Sequence, residues 1–247
     1  MFSIFRKKVT AALDLGSLRC DMHSHLIPGI DDGVPDMETS LQLIRGMIDL
    51  GYKKIITTPH IMWEMFKNTP EIIKTGCESV KKRLTDGNIS IEFSAAAEYF
   101  LDDHFERLVH KDQPLLTIKN NLVMVEFSFV GQPIRVKEIL FELQIKGYQP
   151  VIVHPERYMY FNHHKNWYDE MKDLGCLFQL NLLSLTGYYG KVPAELAQYL
   201  IRKKYINLIG TDLHNEYHLK MIRSSAGIIQ DSVMKLLDTG MIQNPEL

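Results

Sequence analysis

Apolar and polar positions along this chain follow a repeating order, a short apolar run and then a segment with helical spacing, seven times over. The apolar runs are Lys54-Ile-Ile-Thr-Thr, Ile91-Glu-Phe-Ser-Ala-Ala-Ala, Leu122-Val-Met-Val-Glu-Phe, Val151-Ile-Val, Cys176-Leu-Phe-Gln-Leu-Asn and Tyr205-Ile-Asn-Leu-Ile. A less apolar first run ends in Asp21-Met-His-Ser-His. Short runs rich in Val and Ile are the mark of buried parallel strands. Between them, Leu41, Ile44 and Ile48 repeat at helical spacing after Asp36, a capping residue, and this helix is predicted to end before Gly51. Ile73, Cys77, Val80 and Leu84 form a second stripe, closed by Asp86-Gly87-Asn88. Val136, Ile139, Leu140 and Leu143 form a third, ending at Gly147, and Trp167, Met171 and Leu174 a fourth, before Gly175. Strands alternating with helices of this length predict a parallel sheet, and seven units predict a distorted (β/α)7 barrel of the TIM-like kind.

Composition then narrows the class. Hydrophobic residues make up 45% of the 247 and charged residues 23%, as in ordinary globular proteins. Residues 1–247 are expected to form a single domain, with 1–19 as an amino-terminal extension. Lys plus Arg number 28 against 30 Asp plus Glu, so no basic excess points to nucleic acid or an anionic membrane. Three cysteines, at 20, 77 and 176, cannot build a disulfide framework and fit a reducing compartment. No apolar run is long enough to insert into a membrane, and the first residues do not follow the order of a signal peptide. A cytoplasmic location is expected.

In parallel α/β folds the chemistry gathers at the carboxyl ends of the strands, where the loops vary freely. The first run ends in His23-Ser-His25, followed by Asp31 and Asp32. The second ends in Thr58-Pro59-His60, the third in Ala97-Glu98 and the fourth in Val125-Glu126. The fifth ends in His154-Pro-Glu-Arg157 and the seventh in Thr211-Asp212-Leu213-His214. The sixth, ending near Asn181, carries neither a His nor a carboxylate. Any one of these residues has an ordinary structural explanation; together, at six strand ends of seven, they point to metal ligation. If Asp32, Glu98, Glu126 and Asp212 converge, two such charges ~4 Å apart repel by about 4 kcal/mol at an effective dielectric of 20. Such a cluster must bind cations, take up protons or splay apart. Nine candidate ligands (His23, His25, Asp32, His60, Glu98, Glu126, His154, Asp212 and His214) exceed one coordination sphere and fit two or three divalent ions. Three such ions against four carboxylates leave a positive site, suited to a phosphate dianion.

In this order, Asp21-Met-His-Ser-His-Leu-Ile-Pro-Gly-Ile-Asp-Asp-Gly33, Thr57-Thr-Pro-His60, Ala96-Ala-Glu98, Val125-Glu-Phe-Ser128, His154-Pro-Glu-Arg-Tyr158 and Gly210-Thr-Asp-Leu-His-Asn215 resemble the polymerase-and-histidinol-phosphatase (PHP) family of metal-dependent phosphoesterases. The resemblance is strongest to its bacterial tyrosine-phosphatase branch, the CpsB/YwqE-like enzymes of capsule and exopolysaccharide operons. It implies a distorted barrel of the PHP type that hydrolyses phosphotyrosine by in-line attack of a metal-bound hydroxide. It further implies that His23, His25, Glu98 and Asp212 hold one ion, that Glu98, Glu126 and His154 hold a second, and that Asp32, His60 and His214 hold a third. Manganese is the first candidate, with iron, zinc or magnesium as alternatives. Arg157 matches an arginine placed for phosphate, and Arg157, Asp32 and His60 are the residues assigned to catalysis. The implied substrate is a phosphotyrosine-bearing protein, the tyrosine-rich tail of a membrane-associated bacterial tyrosine kinase. One departure stands out: relatives often carry a second Arg after the last motif, where this chain reads Asn215-Glu-Tyr-His-Leu-Lys220, leaving His218, Lys220 and Arg223 as substitutes.

Competing readings have distinct signatures. Cys77-Glu-Ser-Val-Lys-Lys-Arg83 has the Cys-x5-Arg spacing of cysteine phosphatases, but it lacks glycine and Cys77 belongs to a helical stripe, so a core cysteine is expected. An amidohydrolase-type deacylase also opens on His-x-His, but often uses a modified Lys at the fourth strand end, where this chain has Glu126. A histidinol-phosphate or nucleotide phosphoesterase and a non-catalytic metal-binding docking module complete the alternatives. Lys81-Lys82-Arg83 reads as a solvated helix face, His163 and His164 as solvent-facing, and Tyr188-Tyr189 as bordering the substrate.

Overall fold

The computed structural model describes residues 13–247. Among them the strand segments are β1 (Cys20–Asp21), β2 (Lys54–Thr57), β3 (His60–Ile61), β4 (Glu92–Ala95), β5 (Glu98–Phe100), β6 (Leu122–Glu126), β7 (Gln149–Val153), β8 (Leu177–Asn181) and β9 (Ile206–Gly210). The α-helices are α1 (Met37–Asp49), α2 (Pro70–Asp86), α3 (Asp103–His110), α4 (Val136–Ile145), α5 (Asn166–Asp173), α6 (Lys191–Arg202), α7 (Glu216–Ser224) and α8 (Ala226–Leu237). Every strand ladder is parallel.

The expected seven strands appear as nine segments because two of them are interrupted. Thr58 and Pro59 separate β2 from β3, and Ala96 and Ala97 separate β4 from β5. Proline has no N–H to give a ladder, yet the path continues: Ala96 N donates to Thr57 O (2.9 Å) and Glu98 N to Pro59 O (3.2 Å). Two sheets result, β1-β2-β4 and β3-β5-β6-β7-β8-β9. They join into a ring beyond the end of β1, where Asp212 N donates to His23 O (2.8 Å) and His25 N to Leu213 O (2.9 Å). The last strand thereby meets the first, and the barrel closes at the end that carries the candidate ligands.

At the opposite end β1 and β9 are bridged by Asn244, which is fully buried. Its Nδ2 donates to Cys20 O (3.0 Å) and Ile209 O (2.7 Å), and its Oδ1 accepts from Ile209 N (2.8 Å). The side-chain amide does there what a neighbouring strand would do.

Strand residues alternate between two cores, as the two-residue period of a strand requires. Cys20, Met22, Ile56, Ala96, Met124, Val151, Val153 and Leu208 fill the barrel. Ile55, Val123, Val125, Ile152, Phe178, Leu180 and Ile209 face the helices in the larger outer core. The four predicted helical stripes bury the expected residues, except that Ile48 and Leu174 are half-buried. Asp36 caps α1 by accepting from Thr39 N (2.8 Å), and α1 stops ahead of Gly51, whose φ of 97° suits glycine. Cys77 lies in the buried stripe of α2, as a core cysteine should. Part of the expected extension, residues 1–12, lies outside the described residues; Leu13, Leu15 and Leu18, which follow, are buried in the outer core. No described helix is long and apolar enough to cross a membrane.

Candidate metal centre

The nine candidate ligands converge on the rim where the barrel closes. Extended backbone places His23 and His25 on one face. His23 Nε2 lies 3.1 Å from Glu98 Oε2 and 3.3 Å from Asp212 Oδ1, and His25 Nε2 lies 3.3 and 3.4 Å from the same two oxygens. His60 Nδ1 is 3.2 Å from Glu98 Oε2 and 3.6 Å from Glu126 Oε2. His154 Nε2 is 3.3 Å from Glu98 Oε1 and 3.6 Å from Glu126 Oε1. Asp32 stands at the outer edge, its side chain 56% exposed, with Oδ1 3.5 Å from both His60 Nε2 and His214 Nε2. Glu98 is the hub, facing four of the five imidazoles.

Local backbone is bent to achieve this. His154 (φ 32°) and Asp212 (φ 52°) are both left-handed, a strained state for residues with a Cβ that tends to persist at functional sites. A Cβ on Gly33 would lie 2.3 Å from His25 O, so only glycine lets that loop fold against the first strand.

Four overlapping sets of donors lie close enough for any one of them to hold an ion: His25, Asp32, His60 and His214; His23, His154 and Asp212; His23, His25 and Glu98; and His60, Glu98 and Glu126. Imidazole and carboxylate together suit divalent transition metals. Within these sets His60 Nδ1, Glu98 Oε1 and Glu126 Oε2 are buried with no hydrogen-bond partner, an arrangement that costs free energy unless a cation satisfies them. The residues therefore fit divalent ions.

Electrostatics agrees. Burial and the neighbouring Glu98 charge push the Glu126 carboxyl well above the usual range. Burial opposes charge on Glu98 and Asp212 too, but His23 and His60 around the first, and His23 and His214 around the second, hold both well below it. Burial, reinforced by Arg157, pushes His154 down to about 4, which keeps it a neutral ligand. His23 and His25 thus offset part of the carboxylate charge, and Glu126 is held toward its neutral, protonated form.

A second layer orients these donors. Gln179 Oε1 accepts from His23 Nδ1 (2.9 Å) and Asp31 Oδ2 from His25 Nδ1 (2.8 Å), leaving each Nε2 to face the cluster. Asp31 also accepts from His60 N (3.1 Å) and Gly33 N (3.0 Å). Asn181 Nδ2 donates to Asp212 Oδ2 (2.8 Å), so the sixth strand end, which offers no ligand, supplies the brace. None of these three roles was expected. Gln179 and Asn181 could have been found as polar residues two apart at inward positions of an apolar strand, and Asp31 from its place beside Asp32.

Arg157 reaches the cluster from the loop after β7. Its Nη1 donates to Asp212 Oδ2 (2.8 Å), an ion pair with a neighbouring carboxylate. Its guanidinium carbon sits over the rings of Phe129 (4.5 Å to the centroid) and Tyr189 (4.2 Å). A cavity of about 310 Å³ opens above the cluster, and Arg157, Phe129, Tyr188 and Tyr189 line it. Of the three substitutes for a second Arg, His218 lines this cavity, whereas Lys220 and Arg223 border a different hollow and Arg223 pairs with Asp49 (3.0 Å). His163 and His164 are exposed, and Lys81–Arg83 lie on the outer face of α2.

A closed parallel α/β barrel with clustered imidazoles and carboxylates on its carboxyl rim is the architecture of metal-dependent barrel hydrolases. The chain belongs to the CpsB/CapC family of capsular polysaccharide synthesis, whose family model matches residues 19–245. It is 29% identical over 195 residues to the tyrosine-protein phosphatase YwqE of Bacillus subtilis (strain 168), covering 79% of this chain and 77% of that protein. Against the tyrosine-protein phosphatase CpsB of Streptococcus pneumoniae it is 27% identical over 201 residues, covering 79% and 82%. In three dimensions it superposes with a TM-score of 0.76 and 26% identity on a structure described under YwqE and CpsB as unique metal-dependent tyrosine phosphatases, over 89% of this chain and 86% of that one. An amidohydrolase from Mycoplasma synoviae, 13% identical with a TM-score of 0.53, shares the fold alone.

Proposed function

We propose that this chain is a metal-dependent protein-tyrosine phosphatase, a phosphoric monoester hydrolase acting on phosphotyrosine in proteins. The observation that carries the reading is the convergence of five imidazoles and four carboxylates beside Arg157, with buried donor atoms that lack partners. The family and the fold shared with metal-dependent tyrosine phosphatases support it. In this reading His23, His25, Glu98 and Asp212 would hold one divalent ion, Glu98, Glu126 and His154 a second, and Asp32, His60 and His214 a third, with manganese the first candidate. When bound, such ions neutralise phosphoryl oxygens, lower the pKa of water and stabilise the departing oxygen.

The chain's own residues do the rest. Arg157 donates paired hydrogen bonds to phosphoryl oxygens, its orientation held by Asp212 and by the rings of Phe129 and Tyr189. Gln179 and Asp31 fix the tautomers of His23 and His25, so both present Nε2 before substrate arrives. Asp32 and His60 stand at the cavity side of the cluster, next to where the phosphoryl group would lie. Capsular polysaccharide synthesis, the setting of the family, supports the tyrosine-rich tail of a membrane-associated bacterial tyrosine kinase as the substrate protein. The proposal includes a cytoplasmic location, supported by three free, buried cysteines.

The test is a substrate panel of phosphotyrosine peptide, histidinol phosphate and an oligonucleotide, run with elemental analysis of the purified protein. Phosphotyrosine should be the preferred ester, chelation should abolish its hydrolysis, and Mn²⁺ should restore it. Cys77→Ser should leave the rate nearly unchanged. Activity that survived chelation but vanished with Cys77→Ser would overturn the metal mechanism.

A further inference from the structure

The cavity above the cluster has two kinds of lining. Its floor is imidazole and carboxylate, while Phe129, Tyr188 and Tyr189 supply extended hydrocarbon rings. Tyr188 packs edge-on against both Tyr189 (4.8 Å between centroids, 88°) and His218 (5.4 Å, 84°). Phe129 stacks beside His154 (5.5 Å), is tilted against Tyr158 (5.7 Å) and lies under Arg157, yet remains 43% exposed. A phenyl ring left this open, beside a strongly polar cluster, adds little to the core of the barrel.

We propose that Phe129, with the Tyr188–Tyr189 pair, selects aryl over alkyl phosphate esters, an inference that rests on the phosphatase reading and names its specificity element. Arg157 touches both Phe129 and Tyr189, so any ester whose phosphoryl oxygens it holds must leave the cluster within reach of those rings. In an aryl ester the ring begins at the bridging oxygen, and its faces and edges meet aromatic partners. In an alkyl ester such as phosphoserine one methylene separates that oxygen from the peptide backbone. The backbone N–H and C=O groups would then be drawn against the ring faces, and Phe129 offers them no hydrogen bond.

Phe129 also touches Arg157, so its loss can weaken binding of every phosphoryl group. The difference between aryl and alkyl ligands removes that shared effect. The experiment compares the metal-loaded parent with Phe129→Ala, Phe129→Leu and Phe129→Tyr. It measures dissociation constants for phenylphosphonate and methylphosphonate by calorimetry, and kcat/KM for phosphotyrosine and phosphoserine peptides of one sequence. Metal content and circular dichroism are recorded for each variant. Phe129→Ala should reduce the aryl-to-alkyl preference at least about fivefold, as loss of an aromatic pair and its buried area predicts. Phe129→Leu should recover part of the preference and Phe129→Tyr most of it. Equal losses for both ligand types, or no loss, would overturn the proposal, and if Phe129→Ala misfolds, Phe129→Leu decides by the same criterion. Should the parent fail to hydrolyse phosphotyrosine peptide, the phosphatase reading falls, while the phosphonate pair still decides whether Phe129 selects aryl groups.

Discussion

Asp212 divides its two oxygens between different neighbours. Oδ2 accepts from Arg157 and from Asn181, both at 2.8 Å, while Oδ1 faces His23, His25 and His214 at 3.3 to 3.4 Å. Arg157, proposed to bind phosphate, and the proposed metal ligand are thus one hydrogen-bonded unit. Charge-assisted bonds contribute about 1.5–3 kcal/mol each, so Arg157→Ala should lower kcat/KM on a phosphotyrosine peptide roughly 10- to 1,000-fold. Asn181 still holds Oδ2 in that variant, and metal content should stay at the parent level by elemental analysis. Arg157→Lys should regain little, because a point charge cannot reproduce the planar fork. A folded Arg157→Ala protein as fast as the parent would remove the arginine from phosphate binding. Glu98 is the complementary case, since it faces His23, His25, His60 and His154 together. Glu98→Gln keeps the shape and removes the charge; at least one ion per chain should be lost, with activity down at least ~100-fold. Unchanged stoichiometry would exclude Glu98 as a ligand.

At the scale of elements, two of the strands that carry ligands are interrupted. The breaks at Thr58-Pro59 and Ala96-Ala97 fall immediately before His60 and Glu98 and set off the short segments β3 and β5. Helical stripes were legible in the sequence because burial on one face imposes a 3.6-residue period that single residues reveal. The strand breaks were not, because they follow from how neighbouring strands approach one another at the rim. The Asn244 bridge was equally hidden, since it spans residues more than two hundred positions apart in the chain. Asn244→Ala removes three hydrogen bonds and leaves buried backbone groups of Cys20 and Ile209 without partners. It should cost about 2–4 kcal/mol, read as a lower urea midpoint with little change in slope. Because Asn244 lies at the end away from the cluster, metal stoichiometry should hold. A variant as stable as the parent would show that the bridge does not secure the closure.

At the scale of the whole molecule, closure of the barrel and assembly of the cluster are coupled. The hydrogen bonds that join the first strand to the last run through His23, His25 and Asp212, three of the nine candidate ligands. Ions held there bind the folded chain far better than the unfolded one, and so stabilise it by mass action. Removing them should lower the thermal midpoint by roughly 5–10 °C, and restoring Mn²⁺ should return it in a concentration-dependent way. A midpoint indifferent to chelation and to added divalent ions would argue against cations in this cluster.

The amino-acid sequence by itself determined the alternation of strand and helix, the strand ends where chemistry gathers, and the identity of all nine candidate ligands. These are local properties: periodicity records burial, and His and carboxylate side chains at the ends of apolar runs are visible without coordinates. Tertiary structure decided which residues brace them. It brought Gln179 to His23, Asp31 rather than Asp32 to His25, and Asn181 with Arg157 to Asp212. It also placed Phe129 beneath the Arg157 guanidinium at the site. The physical reason is that a strand's own pattern shows which way its side chains point, whereas the partner each one meets depends on the register and closure of the ring, which every strand settles together.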